Sequence, residues 1–335
     1  MAKVVGMDLG TANTFLYLRG KGIALRTPSV VAIEKDSREV VAVGRSARQM
    51  LGKTPEGILA FRPLKNGVIA DFDVTAKMVR TFLELTDSIS LFSRPSLIVS
   101  IPNGITEVEM RAVEDAMFEA GARSVALIEE PLAAAIGTGL RVVGARGSMI
   151  VDIGGGTTEV AVISLGGIVA SRSIRTAGDA LDEAIIRHLR ANRDLLIGEL
   201  TAEHLKMRIG SAHPTADSGS MQVFGRDLRT GHAVTETVTS ADVREAIEEE
   251  LLEILTAIRD TLEDTPPELS SDLYDHGIVI TGGGAYLRGL PRLIEERLGI
   301  RVTIAKHPFD SVCLGIGRVI ESEGSLGDLL KYRGK

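Results

Sequence analysis

Two carboxylates stand at matched places in the sequence. Asp8 follows the apolar run Val4-Val5-Gly6-Met7 and opens Asp8-Leu9-Gly10-Thr11-Ala12-Asn13-Thr14. Asp152 follows Ser148-Met149-Ile150-Val151 and opens Asp152-Ile153-Gly154-Gly155-Gly156-Thr157-Thr158. A carboxylate at the end of a buried strand is costly unless something pairs with it. Glycine two residues later lets the backbone approach a ligand closely and adopt positive φ. Successive peptide N–H groups, together with the Thr11 and Thr14 hydroxyls, can then surround a phosphate. The second copy offers Gly154, Gly155, Gly156, Thr157 and Thr158 for the same task. Two such loops facing each other could clamp a polyphosphate. Asp8 and Asp152 would then hold Mg²⁺ through water, which this ion gives up reluctantly. Either loop alone could equally be a tight turn; two copies in register favour the phosphate reading. Neither copy has the Gly-Lys-Ser/Thr of a Walker loop or the spacing of a dinucleotide fingerprint.

Three further groups have chemistry within reach. Glu130 precedes Pro131, a residue suited to the first turn of a helix, and so belongs at a strand–helix junction on the ligand side of a sheet. There it could accept a hydrogen bond from a water and aim it at a terminal phosphate. It could equally be an acid favoured by the helix dipole. Thr281-Gly282-Gly283-Gly284 offers bare backbone against which a flat nucleoside could slide, or an ordinary turn. Glu203 and Lys206, on a helix expected after Thr201, could reach ribose hydroxyls or form an exposed charged face.

The elements that must position these groups follow a repeated plan. Each loop is followed by a strand-like run, Phe15 to Leu18 and Val160 to Ser164. A glycine turn comes next, Gly22 matching Gly166, and then another strand. The shared unit implies two similar domains rather than a solenoid, and the 335-residue length exceeds what one core usually supports. Short continuous apolar runs suit strands buried on both faces. Helical patterns alternate with them: Val74, Met78, Val79, Phe82 and Leu83 share a face, and Thr106 with Glu109 reads as a capping box. Ser240 can cap a long helix from Ala241 to Leu262. Together these predict an α/β fold with parallel pairing at its centre. Residues 33–70 and 178–240 read as smaller inserted subdomains, the second including a hairpin over Gly225–Gly231.

Composition narrows the function. Net charge is −7 with no block of like charge and no Trp, which disfavours a nucleic-acid partner. The single cysteine, Cys313, allows no intrachain disulfide and reads as a small buried apolar residue. No run approaches the length of a transmembrane helix, and no signal-peptide pattern is read at the start. A cytoplasmic protein with at most peripheral membrane contact is expected.

In this order, these motifs resemble the actin, Hsp70 and sugar-kinase superfamily, and the finer wording resembles the MreB family, including its Mbl-type paralogues. The wording is carried by Gly6 to Thr14, Ile128 to Gly137, Asp152 to Val160 and Thr281 to Ala285. Gly225-Arg226-Asp227-Leu228 and Thr265-Pro266-Pro267-Glu268-Leu269 add to it. The resemblance implies a duplicated actin-like (ribonuclease H-like) fold around a central nucleotide cleft. Domain I would span 1–141, with an insert near 33–70. Domain II would span 142–335, with an insert near 178–240 and helices from about 310 packing back on domain I. It implies an ATPase in which Asp8 and Asp152 take magnesium-linked roles, Glu130 takes the hydrolytic water, and Glu203 and Lys206 contact the nucleoside. It also implies homopolymer filaments at the inner face of the cell membrane, partnered with the cell-wall elongation machinery. Leu91 and Phe92, in the loop Asp87–Pro95, match a loop that inserts into lipid in similar proteins; alternatively they tuck into their own core. A Leu–Phe pair buries about a few kcal/mol of apolar side chain, and many copies along a filament would act together. Asn103 and Ser311 to Leu314 depart from the family's common wording, which leaves subtype open. Competing readings are a small-molecule kinase of the same superfamily and a nucleotide-binding scaffold with negligible hydrolysis. An Hsp70-like chaperone is discounted for want of a peptide-binding domain.

Overall fold

The apolar run that ends at Asp8 forms strand β1 (Val4–Leu9). It lies in a computed structural model that describes residues 3–90, 93–322 and 326–332. The chain divides into two units: Met1–Arg146 with Ile163–Val169 and Phe309–Lys335, and Gly147–Val162 with Ala170–Pro308. The domain boundary expected at 141/142 stands beside a chain crossing at 146/147.

In the first unit β1 turns back as β2 (Asn13–Leu18) and β3 (Gly22–Pro28), and pairs on its other side with β4 (Ser96–Ile101), which pairs with β5 (Ser124–Glu129). The β1–β4–β5 ladder is parallel, as doubly buried runs require. Its crossovers are the helices α1 (Phe72–Leu85) and α2 (Glu107–Glu119). The predicted apolar face of α1 is buried, with Val74, Met78, Val79, Phe82 and Leu83 joining Val5, Met7 and Leu9 in one core. The opposite side of β1 receives the helix Ser311–Glu321, whose Ile316 Cγ2 lies 2.5 Å from where a Cβ on Gly6 would sit. Helices therefore cover both faces of the sheet.

The capping box at α2 forms: the Thr106 hydroxyl accepts from Glu109 N–H at 3.2 Å, and Glu109 Oε2 accepts from Thr106 N–H at 2.8 Å. Thr106→Ala is expected to cost about 1 kcal/mol, read as a lower urea midpoint at unchanged slope. Residues 33–70, read as a small inserted subdomain, contain regular strands. Val31–Glu34, Val40–Val43 and Ile58–Phe61 make a three-stranded sheet, followed by a small hairpin, Leu64–Lys65 with Val68–Ile69.

The second unit repeats the plan. Strands β6 (Ser148–Ile153), β7 (Thr158–Ser164) and β8 (Gly167–Ile174) precede the helices α4 (Gly178–Arg193) and α5 (Glu199–Ile209). The helix Glu130–Thr138 of the first unit is α3. β6 is continued sideways by the parallel strands β9 (Ile278–Thr281) and β10 (Val302–Ile304). Val151, Ile153, Val160 and Val162 pack with Leu181 and Ile185 of α4, Leu205 of α5, and Ile254 and Ile258. The hairpin expected over 225–231 is the turn between Ser220–Asp227 and Ala233–Thr239.

Two local expectations are corrected. The stretch 241–262 is two helices, Ser240–Ala246 and Glu248–Glu263, and its cap is Thr239, not Ser240. Ser240 is buried and its hydroxyl donates to the Ile209 carbonyl at 2.6 Å, whereas Thr239 has Asp242 three residues on to complete a capping box. Likewise α5 starts at Glu199 after Gly198, so Thr201 lies inside it. Among the described residues no helix is long and apolar enough to cross a membrane.

Candidate functional site

Both units build the same turn from the same residue types. In the first, Gly10 N–H donates to the Asn13 carbonyl at 3.1 Å; in the second, Gly154 N–H donates to the Thr157 carbonyl at 2.9 Å. A Cβ on Gly10 would stand 2.8 Å from the Asn13 oxygen, and one on Gly154 would stand 3.1 Å from the Thr157 oxygen. A side chain at Gly10 would force the turn open, and one at Gly154 would crowd it. Such turns present consecutive peptide N–H groups, the donors that an anion needs.

The matched threonines do something other than expected. Thr14 and Thr158 are fully buried. Thr14 Oγ1 lies 2.8 Å from Ser29 Oγ, and Ser29 Oγ donates to the Gly10 carbonyl at 2.7 Å, so Thr14 supplies the proton to Ser29. Thr158 Oγ1 donates to the Thr176 carbonyl at 2.7 Å. In each copy the hydroxyl ties the turn to the segment after the third strand. Thr14 and Thr158 hold the loop's shape through these hydroxyl contacts.

In the first unit, Asp8 ends β1 and accepts from Ser100 Oγ of β4 at 3.2 Å. Ser100 is in register with Ile128 of β5, two residues before Glu130. The parallel ladder thus delivers Asp8 and Glu130 to the same carboxyl edge of the sheet, where ligands bind in open α/β sheets. Glu129 is the N-cap of α3, Pro131 follows Glu130 in its first turn, and Glu130 is half-buried. Burial pushes the Asp8 carboxyl up to about 7, only partly opposed by the Ser100 hydrogen bond. A carboxylate strained this way is relieved by a nearby cation.

Among the described residues no group of three His, Cys, Asp or Glu gathers to hold a metal. One carboxylate at each strand end, Asp8 and Asp152, fits Mg²⁺ carried on phosphates rather than an all-protein cage. Thr11, 6% exposed, accepts from Gly67 N–H at 2.8 Å, so the tip of the small hairpin rests on the first loop.

In the second unit, Asp152 is in register with Thr281. A Cβ on Gly282, whose φ is +79°, would overlap Asp152 Oδ1 and the Ile153 carbonyl. The Gly282–Gly284 loop is therefore packed against the backbone at the end of β6. Gly282→Ala is expected to displace Asp152 and cost about 2–4 kcal/mol, through positive φ and overlap together, read as a lower melting temperature. Lys206 Nζ donates to the Gly178 carbonyl at 2.5 Å, and Gly178 N–H donates to the Gly154 carbonyl at 3.1 Å. Glu203 is half-buried one turn before Lys206 on α5. Leu91 and Phe92 lie outside the described residues; beside them, Ser90 N–H donates to the Ser93 carbonyl at 2.9 Å.

Sequence reasoning did not find Ser29, Gly67, Ser100, Gly178 or Asp182. Asn66-Gly67 between Leu64-Lys65 and Val68-Ile69 was a readable hairpin signal. The others carry no local signature.

The chain matches the family described as "MreB/Mbl protein" over residues 2–327. It is 52% identical over 323 residues to the cell shape-determining protein MreB of Escherichia coli (strain K12), covering 95% of this chain and 93% of that one. It is 46% identical over 325 residues to the cell shape-determining protein Mbl of Bacillus subtilis (strain 168), covering 97% and 98%. Among solved structures it is similar to MreB5 of Spiroplasma citri bound to ADP. There the TM-score is 0.92 at 32% identity, covering 98% of this chain and 99% of that one. The fold is thus the actin-like one expected.

Proposed function

Because the chain belongs to the MreB/Mbl family, we propose that it binds and slowly hydrolyses ATP with Mg²⁺ and polymerises into membrane-associated filaments that organise cell-wall synthesis and cell shape. The observation that carries the nucleotide reading is the repeated turn, each copy following an aspartate at a strand end. Relatives support it: the Spiroplasma MreB5 structures hold ADP and AMPPNP, and the curated relatives are named for determining cell shape. In this reading the peptide N–H groups of Gly10–Asn13 and Gly154–Thr157 bind the phosphates. Asp8 and Asp152 would hold Mg²⁺, and Gly282–Gly284 with Glu203 and Lys206 take the nucleoside. Mg²⁺ held there would supply neutralisation of the phosphate charge. Glu130 accepts a proton of the attacking water and aligns it with that bond. Leu91 and Phe92 enter lipid on the inner face of the membrane, a part of the proposal that rests on family resemblance.

Sedimentation with Mg-ATP, with and without anionic liposomes, tests the whole. Pelleting that requires both supports the filament and membrane roles together. Pelleting with neither removes both roles and leaves the nucleotide claim to a binding assay. Phosphate release that ceases in EDTA supports the Mg²⁺ role; release unaffected by EDTA overturns it.

A further inference from the structure

Asp182 is a buried acid that the proposed reaction does not use. It lies one turn into α4 and is 3% exposed. Its Oδ1 is 2.8 Å from Lys206 Nζ, and the two side chains are 5% and 15% exposed. Burial pushes its carboxyl up, to about 7, against the pull of Lys206, and Glu203 and Asp179 push it further up. A buried pair of this kind is poor economy for stability alone, since apolar residues of similar volume often serve as well or better. Its contacts lead elsewhere. The same Lys206 ammonium donates to the Gly178 carbonyl. From there the turn 176–179 is laced to the second phosphate loop by three hydrogen bonds. Gly178 N–H donates to the Gly154 carbonyl at 3.1 Å, Asp179 N–H donates to the Gly155 carbonyl at 2.7 Å, and Thr158 Oγ1 donates to the Thr176 carbonyl at 2.7 Å. A Cβ on Gly178 would crowd the Gly154 oxygen at 3.2 Å and lie in ordinary contact with Lys206 Nζ at 3.5 Å, so the lysine, the turn and the loop meet at one point.

We propose that Asp182 is a positioning residue for the nucleotide: it holds Lys206 under the Gly178 carbonyl and thereby locks the turn that backs the Gly154–Thr158 loop. This rests on the nucleotide reading above and adds a linkage to it. An ammonium has three N–H donors. One is spent on the Gly178 carbonyl, and the charge is held against Asp182 Oδ1 at 2.8 Å. The helix that carries Glu203 and Lys206 is thus referenced directly to the phosphate loop, and nucleoside and phosphate are gripped by one preorganised body. Without the carboxylate, the long lysine side chain regains its rotamers and the turn loses its brace.

Equilibrium binding of Mg-ATP and of Mg-tripolyphosphate, which lacks a nucleoside, tests this on the full chain as wild type, Asp182→Asn, Asp182→Glu, Lys206→Met and the Asp182→Asn/Lys206→Met double variant. The expected result is at least tenfold weaker binding of both ligands by Asp182→Asn, recovery to within about threefold in Asp182→Glu, and no further loss in the double variant beyond Lys206→Met. Binding of both ligands within twofold of wild type in Asp182→Asn, whatever its melting temperature, overturns the proposal, as do additive losses in the double variant. If Asp182→Asn does not fold, hydrogen exchange of Lys206→Met decides. Exchange at least tenfold faster confined to residues 154–158 and 176–180 supports the brace; unchanged or uniformly faster exchange overturns it. Wild-type protein that binds neither ligand brings down the nucleotide reading and this proposal together. Wild-type binding with an unaffected Asp182→Asn brings down this proposal alone.

Discussion

Glu130→Ala is expected to release phosphate from Mg-ATP about 10²–10⁴ times more slowly than the wild type, the usual worth of a positioned general base, while binding Mg-ATP within about threefold. The expectation follows from where the backbone puts the residue. β5 is locked in parallel register with β4, and β4 with β1, so the end of β5 and the end of β1 share one edge. Glu130 is the first helical residue after that edge, with Pro131 behind it. Proline fixes its own φ and restricts the residue before it, so the carboxylate emerges from a stiff junction rather than a mobile loop. The competing account makes Glu130 a helix-dipole acid, worth about 0.3–1 kcal/mol of stability and nothing in turnover. The two accounts separate cleanly. A fall in single-turnover phosphate release with retained nucleotide affinity supports the catalytic role. Unchanged turnover with a slightly lower melting temperature assigns Glu130 to the dipole, and the scaffold reading would then need another residue to be excluded.

Gly137→Ala is expected to destabilise the protein by about 3 kcal/mol or more, although helix propensity alone predicts a gain of about 1 kcal/mol for the same change. The sign is set by a contact between helix backbones. A Cβ on Gly137 of α3 would overlap the Ser311 carbonyl oxygen, and a Cβ on Gly315 would overlap the Ala133 carbonyl oxygen. The two helices therefore touch main chain to main chain, and a methyl on either forces them apart. Neither obstacle is the end of a flexible side chain, so local rotation cannot relieve it. Because α3 begins at Glu130, and the helix Ser311–Glu321 also packs on β1 near Gly6, the displacement should reach the site and slow phosphate release as well. Urea midpoints for Gly137→Ala and Gly315→Ala, against a Gly57→Ala control whose Cβ would meet nothing within 4 Å, measure the effect. A stabilised Gly137→Ala would show that the helices can separate at little cost.

What the sequence determined by itself was whatever a few adjacent residues encode. An aspartate after an apolar run, a glycine two residues later, and the repetition of both were enough for the strand ends and their turns. Thr106 with Glu109, and Pro131 after Glu130, marked helix starts because caps act within one turn. The long helix read from Ser240 failed for a complementary reason. Whether Ser240 or Thr239 caps depends on which hydroxyl a distant carbonyl, that of Ile209, takes out of use.

Only the tertiary structure decided the rest. It turned the Thr14 and Thr158 hydroxyls inward, onto Ser29 and the Thr176 carbonyl. It brought Ser29 to Gly10 across 19 residues, Gly67 to Thr11 across 56, and Ser100 to Asp8 across 92. It also buried Asp182 beside Lys206, making a linkage of what the sequence offers only as charged residues on two helices. The physical reason is range. Turn chemistry and apolar periodicity are set by neighbours a few residues away, whereas the partner of a buried polar group is chosen by strand register and helix packing, which no short window of sequence contains.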